Sequence, residues 1–155
     1  MPLEIERKFL VTNGSWRACA DAGVKIAQGY FGSPEKASIR IRIQGDTANI
    51  NIKSARLGIS RHEYEYPIPL EDAEHMLAEL CVGPSIEKVR YHCDVDGHIW
   101  EIDVFEGDNA GLIVAEIELG SEDETFTVPD WAGDDVSHDP RYYNVSLLKH
   151  PYKQW

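Results

Sequence analysis

Polar and apolar residues alternate at period two through most of the chain, and this pattern constrains the fold more than any other feature. Such alternation is typical of β-strands with two chemically different faces. The segments that show it are Leu3 to Val11, Val24 to Phe31, Ala37 to Gln44, Thr47 to Ser54, Ser60 to Pro69, Ser85 to Val95, His98 to Phe105 and Leu112 to Leu119. Gly45-Asp46 and Asp96-Gly97 lie between neighbouring segments and predict hairpin turns. These segments predict one domain, residues 1–155, that is mainly β: a closed, eight-stranded antiparallel barrel, since closure removes exposed strand edges.

A few helices are predicted around this barrel. Ser15 is a candidate cap for a helix over Trp16 to Ala22. A second helix is predicted over Leu70 to Cys81, with an apolar face formed by Leu70, Ala73, Leu77 and Leu80. A last short helix is predicted over Arg141 to His150, and the acidic stretch Ser121 to Asp139 is expected to form surface loops or short turns.

The charge balance restricts the class of partner. The chain carries 15 Lys and Arg against 27 Asp and Glu, a formal net charge of −12, which argues against nucleic acid or an anionic membrane as the main partner. No apolar run approaches the roughly 18 residues of a membrane span, and no signal peptide is recognised. The cysteines, Cys19, Cys81 and Cys93, are odd in number and unpatterned, so we expect reduced thiols in the cytoplasm.

One face of most predicted strands is charged. Glu4, Glu6 and Lys8 share a face of the first strand, and Arg40 and Arg42 share a face of the third. If these faces point outward, the chain has a solvated sheet surface and fits a structural interaction protein. If they point inward, the barrel holds a wet, charged cavity, because a dry interior full of ion pairs would be costly. Alternation alone leaves both readings open.

The acidic residues on these faces occur as pairs two residues apart. The pairs are Glu4/Glu6, Glu63/Glu65, Glu101/Asp103 and Glu116/Glu118. Carboxylates two apart on a strand lie about 6.5–7 Å from each other, and such like charges favour a cation between or near them. Several converging pairs predict an oxygen-rich site for Mg²⁺ or Mn²⁺.

Basic residues share the same faces and predict a polyanionic ligand. They are Lys8, Arg40, Arg42, Lys53, Lys88 and Arg90. Arginine binds phosphate through two parallel N–H groups and lysine binds it as a point charge, so this set suits a triphosphate chain that carries its own metal.

These motifs resemble the CYTH superfamily, also called triphosphate tunnel metalloenzymes. The N-terminal Glu4-Ile5-Glu6-Arg7-Lys8 matches the family's ExExK signature. Further similar motifs follow in order: Arg40-Ile41-Arg42, Asn51-Ile52-Lys53, Glu63-Tyr64-Glu65, Lys88-Val89-Arg90, Glu101-Ile102-Asp103, Glu116-Ile117-Glu118 and the closing Asp139-Pro140-Arg141-Tyr142-Tyr143-Asn144. The resemblance covers the whole chain and implies an eight-stranded tunnel that holds a triphosphate. It is greatest to the small bacterial members linked to inorganic tripolyphosphatase activity.

The resemblance also implies roles for individual residues. Metal ligands would be Glu4, Glu6, Asp103, Glu116 and Glu118, and phosphate ligands would be Lys8, Arg40, Arg42, Lys53, Lys88 and Arg90. Catalytic roles would fall to Glu63 and Glu65, which hold a second ion or orient the attacking water, and to Lys8, Lys53 and Tyr30. Tyr30 is equally well explained as a core or turn aromatic, and the segment with Tyr142 and Tyr143 either packs on the barrel or plugs one tunnel end.

Other functions remain open at the level of sequence. A nucleoside or thiamine triphosphatase or a class IV-type adenylate cyclase would need a pocket for a base or a thiazolium ring, and no residues for one are evident. A non-catalytic binder of polyphosphate or nucleotide is the alternative from another class, although it would have little use for so many acids. The assembly state also stays open, with a homodimer among the options.

Overall fold

The computed structural model describes residues 3–32, 35–55 and 58–155. Its strands are β1 (Leu3–Val11), β2 (Val24–Tyr30), β3 (Ala37–Gln44), β4 (Thr47–Ser54), β5 (Ser60–Ile68), β6 (Val82–Val95), β7 (His98–Phe105), β8 (Ile113–Glu118) and β9 (Ala132–Asp135). The α-helices are α1 (Leu70–Glu79) and α2 (Asn144–Lys149), and short 3-10 helices span Gly14–Ala18, Gly107–Asn109, Pro140–Tyr142 and Tyr152–Gln154. No helix in these described ranges has the length and apolar character that crossing a bilayer requires.

The strands close into an antiparallel barrel, which confirms the predicted architecture. Their order is β5-β4-β3-β2-β6-β7-β8-β1, and β1 returns to β5 through Leu3–His62 to Ile5–Ser60. The predicted hairpins join β3 to β4 and β6 to β7. Asp96 and Gly97 both have positive φ, 48° and 87°, which is the backbone twist that a two-residue hairpin turn favours.

The apolar faces of the strands point outward and are covered by the remaining segments. Beneath β1, β7 and β8, the buried side chains of Trp16, Trp100 and Trp131 belong to one cluster. Against β3 and β4, α1 packs Ala73, Met76 and Leu77. The predicted α1 face is therefore confirmed except at Leu80, which follows the helix and is 55% exposed. This arrangement leaves the charged faces to line the interior of the barrel.

Three predictions about the peripheral segments were wrong. The first helix is a 3-10 turn over Gly14–Ala18, and its cap is Asn13, two residues before the expected Ser15; the Asn13 side chain accepts the hydrogen bond from Ser15 N. The last helix is split, because Tyr143 is extended between the 3-10 turn Pro140–Tyr142 and α2. Part of the predicted loop region forms β9, which pairs with β1.

The cysteine prediction was also wrong for two of the three residues. Cys19 and Cys93 form a disulfide, with Cα atoms 5.2 Å apart, that ties the 3-10 turn after β1 to β6. Their separation of 74 residues has no spacing signature, so only the fold brings them together. Cys81 is a free thiol.

Candidate active site

The barrel encloses a polar cavity of about 240 Å³. The predicted site residues that line it are Glu4, Glu6, Lys8, Tyr30, Arg40, Arg42, Lys53, Glu63, Glu65, Lys88, Arg90, Glu116 and Glu118. The charged faces therefore point inward, as the tunnel reading predicts. Asp103 is the one predicted site residue that is not part of this wall.

Three of the six predicted phosphate-binding cations are paired with carboxylates. Lys53 Nζ lies 2.9 Å from Glu4 Oε1 and 3.5 Å from Glu63 Oε2. Lys88 and Arg90 each lie 2.7 Å from Asp103. These contacts follow from register, since Arg90 stands directly opposite Asp103 in the β6–β7 ladder. The charges of these cations are therefore partly neutralised within the wall.

Asp103 binds two of these cations, Lys88 and Arg90, from outside the cavity wall. Its side chain is fully buried, and its oxygens accept hydrogen bonds from Arg90 Nε and Nη2 and from Lys88 Nζ at 2.7–2.9 Å. Burial alone would raise the pKa of this carboxyl, but the charges of Arg90 and Lys88 outweigh burial and lower the pKa to about 2. Asp103 is thus an ionised anchor for the cationic wall.

Burial also destabilises the charged form of Lys88. Desolvation lowers its pKa to about 7, and the attraction of Asp103 only partly offsets this effect. An incoming anion near Lys88 would favour its charged form.

The other three predicted cations have no carboxylate within 4 Å in the part of the chain that the structure describes: Lys8, Arg40 and Arg42. Lys8 Nζ donates to the backbone oxygen of Tyr142 at 3.0 Å, and Arg42 donates to the amide oxygen of Gln28. Arg40 Nε is buried and has no hydrogen-bond partner among the described residues. Desolvation and the nearby charges of Arg40 and Arg90 lower the pKa of Arg42 to about 9. A buried donor without an acceptor is costly, so this cluster is built for an anion that enters the cavity.

Acidic residues from β1 and β8 meet on another part of the wall. Cross-strand pairing places Glu6 opposite Glu118 and Lys8 opposite Glu116. Burial and the neighbouring Glu116 raise the pKa of Glu6 well above its usual range. Burial would also raise the pKa of Glu116, but Lys8 and a hydrogen bond from Glu6 bring it well below its usual range. The contact between Glu6 and Glu116 therefore shifts the pKa values of the two carboxyls in opposite directions.

The acids of β5, Glu63 and Glu65, are held together by one amide. Asn51 Nδ2 donates to Glu63 Oε2 at 2.9 Å and to Glu65 Oε2 at 3.1 Å. Burial would raise the pKa of Glu63, but Lys53 and Asn51 lower it overall. This group can accept hydrogen bonds from a water molecule in the cavity.

Comparison with known proteins agrees with this geometry. Residues 2–152 match the CYTH domain family. The chain belongs to this family. It is 44% identical over 155 residues to an inorganic triphosphatase of Acetivibrio thermocellus, covering 100% of this chain and 99% of that protein. It is 39% identical over 151 residues to an inorganic triphosphatase of Nitrosomonas europaea, covering 93% and 95%. A crystal structure of an inorganic triphosphatase superposes with a TM-score of 0.67 at 35% identity, covering 96% and 95% of the two chains.

The donor chemistry of this CYTH domain fits a divalent cation. The carboxylates on the β1–β8 wall are hard oxygen donors of the kind that Mg²⁺ and Mn²⁺ prefer, and Glu6 and Glu116 lie close enough to interact with each other. Within residues 3–32, 35–55 and 58–155 there is no preformed cluster of three acidic, histidine or cysteine ligands. Mg²⁺ commonly binds through one or two carboxylates and completes its shell with substrate phosphate oxygens. The residues therefore suit a cation that arrives together with a phosphate chain.

Several cavity residues escaped the sequence prediction. The C-terminal segment contributes Tyr143, Asn144 and Val145 to the wall, and β2 contributes the buried Gln28 behind it. Other polar lining residues that received no site role are Ser38, Gln44, Asn49, Asn51, Arg61 and Glu101. The alternation of β4 places Asn49 and Asn51 on the charged face, but no pattern marks Asn144, because it lies outside the strands.

Proposed function

We propose that this CYTH domain hydrolyses inorganic tripolyphosphate to pyrophosphate and orthophosphate with the help of Mg²⁺ or Mn²⁺. The observation that carries the proposal is a closed barrel in which three cations unpaired by carboxylates, Lys8, Arg40 and Arg42, line the same cavity as Glu6 and Glu116. The names of the two full-length relatives, both inorganic triphosphatases, support the same substrate.

Binding of the phosphate chain would fall first to the unpaired cations. Arg40 and Arg42 alternate on β3, and Arg40 offers an unsatisfied Nε. Phosphate oxygens would accept hydrogen bonds from these buried donors, which the residues of the wall leave partly unsatisfied. Lys53, Lys88 and Arg90 would add longer-range attraction, since their carboxylate partners already fix their positions.

Glu4, Glu6, Glu116 and Glu118 would hold the cation, and they all face the cavity. Asp103, included among the ligands by resemblance, would act by holding Lys88 and Arg90, because both of its oxygens are taken by them. A bound divalent ion would neutralise charge that develops on the phosphate oxygens.

Glu63 and Glu65 would orient the attacking water. Asn51 fixes both carboxylates, and the lowered pKa of Glu63 keeps it ionised as an acceptor. Lys8 and Lys53 would stabilise the charge of the leaving phosphate group, and the Tyr30 hydroxyl, on the buried wall, would donate to a phosphate oxygen.

The remaining proposals concern partners and location. Nucleic acid is not expected as a partner, because the six predicted cations are all less than 10% exposed inside an otherwise acidic protein. Action in the cytoplasm and assembly as a homodimer stay predictions.

The test is phosphate release from tripolyphosphate, ATP and thiamine triphosphate measured side by side with Mg²⁺, Mn²⁺ or EDTA. We expect release from tripolyphosphate with either ion and none in EDTA. Faster release from ATP or thiamine triphosphate would contradict the assigned substrate. Tight binding of tripolyphosphate with no release under any condition would instead favour a non-catalytic binder.

A further inference from the structure

Two side-chain amides connect a pair of tunnel cations. Gln28, which is fully buried on β2, accepts hydrogen bonds at Oε1 from Arg42 Nε at 2.9 Å and from Arg42 Nη2 at 2.7 Å. Its Nε2 donates to Asn144 Oδ1 at 2.8 Å. Asn144 Oδ1 also accepts from Lys88 Nζ at 3.2 Å. The order Arg42–Gln28–Asn144–Lys88 thus joins β3, β2, the C-terminal segment and β6.

Gln28 acts on the cavity only through Arg42 and Asn144. It is not part of the cavity wall, whereas Arg42 and Asn144 both are. The β2–β3 register places Gln28 directly opposite Arg42, so the amide reaches the guanidinium without distorting either strand. Two hydrogen bonds to one edge of a planar guanidinium fix its orientation and leave Nη1 free for a phosphate oxygen.

An amide is the group that can do this without neutralising the arginine. A carboxylate at position 28 would also bind Arg42 by two hydrogen bonds, but its charge would cancel the charge that a polyanion needs. Arg90 illustrates the alternative, since Asp103 binds it in that way. Gln28 therefore keeps Arg42 oriented and charged, whereas Lys88 contacts both the amide of Asn144 and the carboxylate of Asp103.

We propose that Gln28 is a positioning residue for phosphate binding, which presets Arg42 and couples its orientation to the C-terminal segment through Asn144. This inference rests on the proposed function, because it assigns Arg42 to the tripolyphosphate. It predicts that the chemistry at position 28 matters for binding even when the fold is intact.

The experiment compares Gln28→Met and Gln28→Glu with Arg42→Met and with the double variant Gln28→Met/Arg42→Met. Dissociation constants for inorganic tripolyphosphate are measured by calorimetry in EDTA, and Tm is measured for each variant. We expect each Gln28 variant to weaken binding about 10-fold, the usual lower range for loss of a supporting partner, and Arg42→Met to weaken it at least as much. We expect the loss in the double variant to be smaller than the sum of the two single losses, because Gln28 acts in large part through Arg42.

Gln28→Glu separates positioning from mere packing. It is nearly isosteric and can still bind Arg42 through two hydrogen bonds, but it adds a negative charge beside the guanidinium and loses the donor to Asn144 Oδ1. A packing role predicts that affinity follows Tm across the variants, whereas the positioning role predicts weaker affinity even where Tm changes little. Wild-type affinity in both Gln28 variants, or additive losses in the double variant, would overturn the proposal.

Asn109→Ala is the matched control. Asn109 is another buried amide that holds the C-terminal segment, through Tyr152 N at 2.9 Å, but it lies outside the cavity wall. We expect a lower Tm with unchanged affinity. Parallel phosphate-release assays separate the positioning role of Gln28 from the proposed hydrolase function. If the Gln28 variants bind tripolyphosphate more weakly but the wild type shows no turnover, only the hydrolase function is refuted. A wild type that neither binds nor hydrolyses tripolyphosphate would refute both.

Discussion

Glu6 is the residue at which the proposed cation and the fold would favour different protonation states. Without a cation, burial next to Glu116 favours the protonated form of Glu6, which donates to its neighbour. A glutamine at position 6 can donate the same hydrogen bond but offers a poorer ligand to Mg²⁺. We therefore expect Glu6→Gln to reduce Mg²⁺-dependent phosphate release by roughly 10²-fold or more, by analogy with loss of one electrostatic stabiliser. Its Tm in EDTA should stay within about 2 °C of wild type, a small change for a domain of this size.

The control for Glu6→Gln is Glu87→Gln, which alters an exposed carboxylate on β6. This variant should match wild type in both turnover and Tm. Full activity of Glu6→Gln would refute the assignment of Glu6 as a ligand, whereas a large loss of Tm in EDTA would show that the pair with Glu116 depends on a true carboxyl.

Also at the residue scale, the sequence predicted which side chains face the cavity more accurately than it predicted the contacts of those side chains. Period-two alternation determines the face of each side chain, and all predicted site residues but Asp103 line the wall. It does not reveal which strands are neighbours in space. The ion pairs of Asp103 with Lys88 and Arg90, and the role of Gln28, depend on the order β3-β2-β6-β7, which is set by the whole barrel.

At the scale of elements, β9 shows why a strand can lack a sequence signal. Its residues, Ala-Gly-Asp-Asp, have low strand propensity, so it forms through contacts with β1 rather than through intrinsic preference. Thr12 N donates to Trp131 O at 2.8 Å, and Val136 N donates to Lys8 O at 2.8 Å. Asp135 adds a side-chain anchor, since it accepts from Arg7 and from Ser137.

The anchor at Asp135 predicts a pH dependence of stability. Burial would raise the pKa of Asp135, but hydrogen bonds from Ser137 and the charge of Arg7 lower it overall. A carboxyl with a lowered folded pKa contributes its stability above its unfolded pKa of about 3.9, and that stability is lost as pH falls through the folded pKa. We expect Asp135→Asn to be less stable than wild type at pH 7, with a difference that shrinks from about pH 5 to pH 3. Urea unfolding across this range measures it.

The neighbouring Asp134→Asn is the control for this pH dependence, because Asp134 is exposed on the same strand, as Asp135 is, but Arg7 and Ser137 donate to Asp135 and not to it. Its unfolding free energy should follow the wild-type curve. A difference between wild type and Asp135→Asn that stays constant down to pH 3 would show that Asp135 contributes through packing and not through its ionised form.

At the scale of the whole molecule, the fold separates charge by location. The net charge is −12, yet the six predicted phosphate ligands are buried within the barrel. Composition argues only against a large polyanionic partner such as nucleic acid or an anionic membrane, and the pattern alone could not decide whether the charged faces point inward. Closure of β5 onto β1 decides it, because the outer faces are then the apolar ones that α1 and the C-terminal segment cover. A small polyanion can therefore be bound inside a protein whose surface would repel a large one.

The Cys19–Cys93 disulfide acts on the stability of the whole chain, since it closes a loop across 74 residues. A loop of this length predicts a stabilisation of about 4 kcal/mol through the entropy of the unfolded chain, although measured values are often smaller. For a domain of this size, reduction should lower Tm by about 10 °C. Cys19 is exposed, so dithiothreitol can reach the bond, and Cys93 belongs to the apolar cluster outside the cavity, so turnover at 25 °C should persist.

Thermal unfolding with and without dithiothreitol measures the effect. Cys81→Ser should respond like wild type, whereas Cys19→Ser should have a low Tm that dithiothreitol does not change. A wild-type Tm unaffected by complete reduction would show that barrel closure alone sets the stability, with the cross-link adding nothing to it.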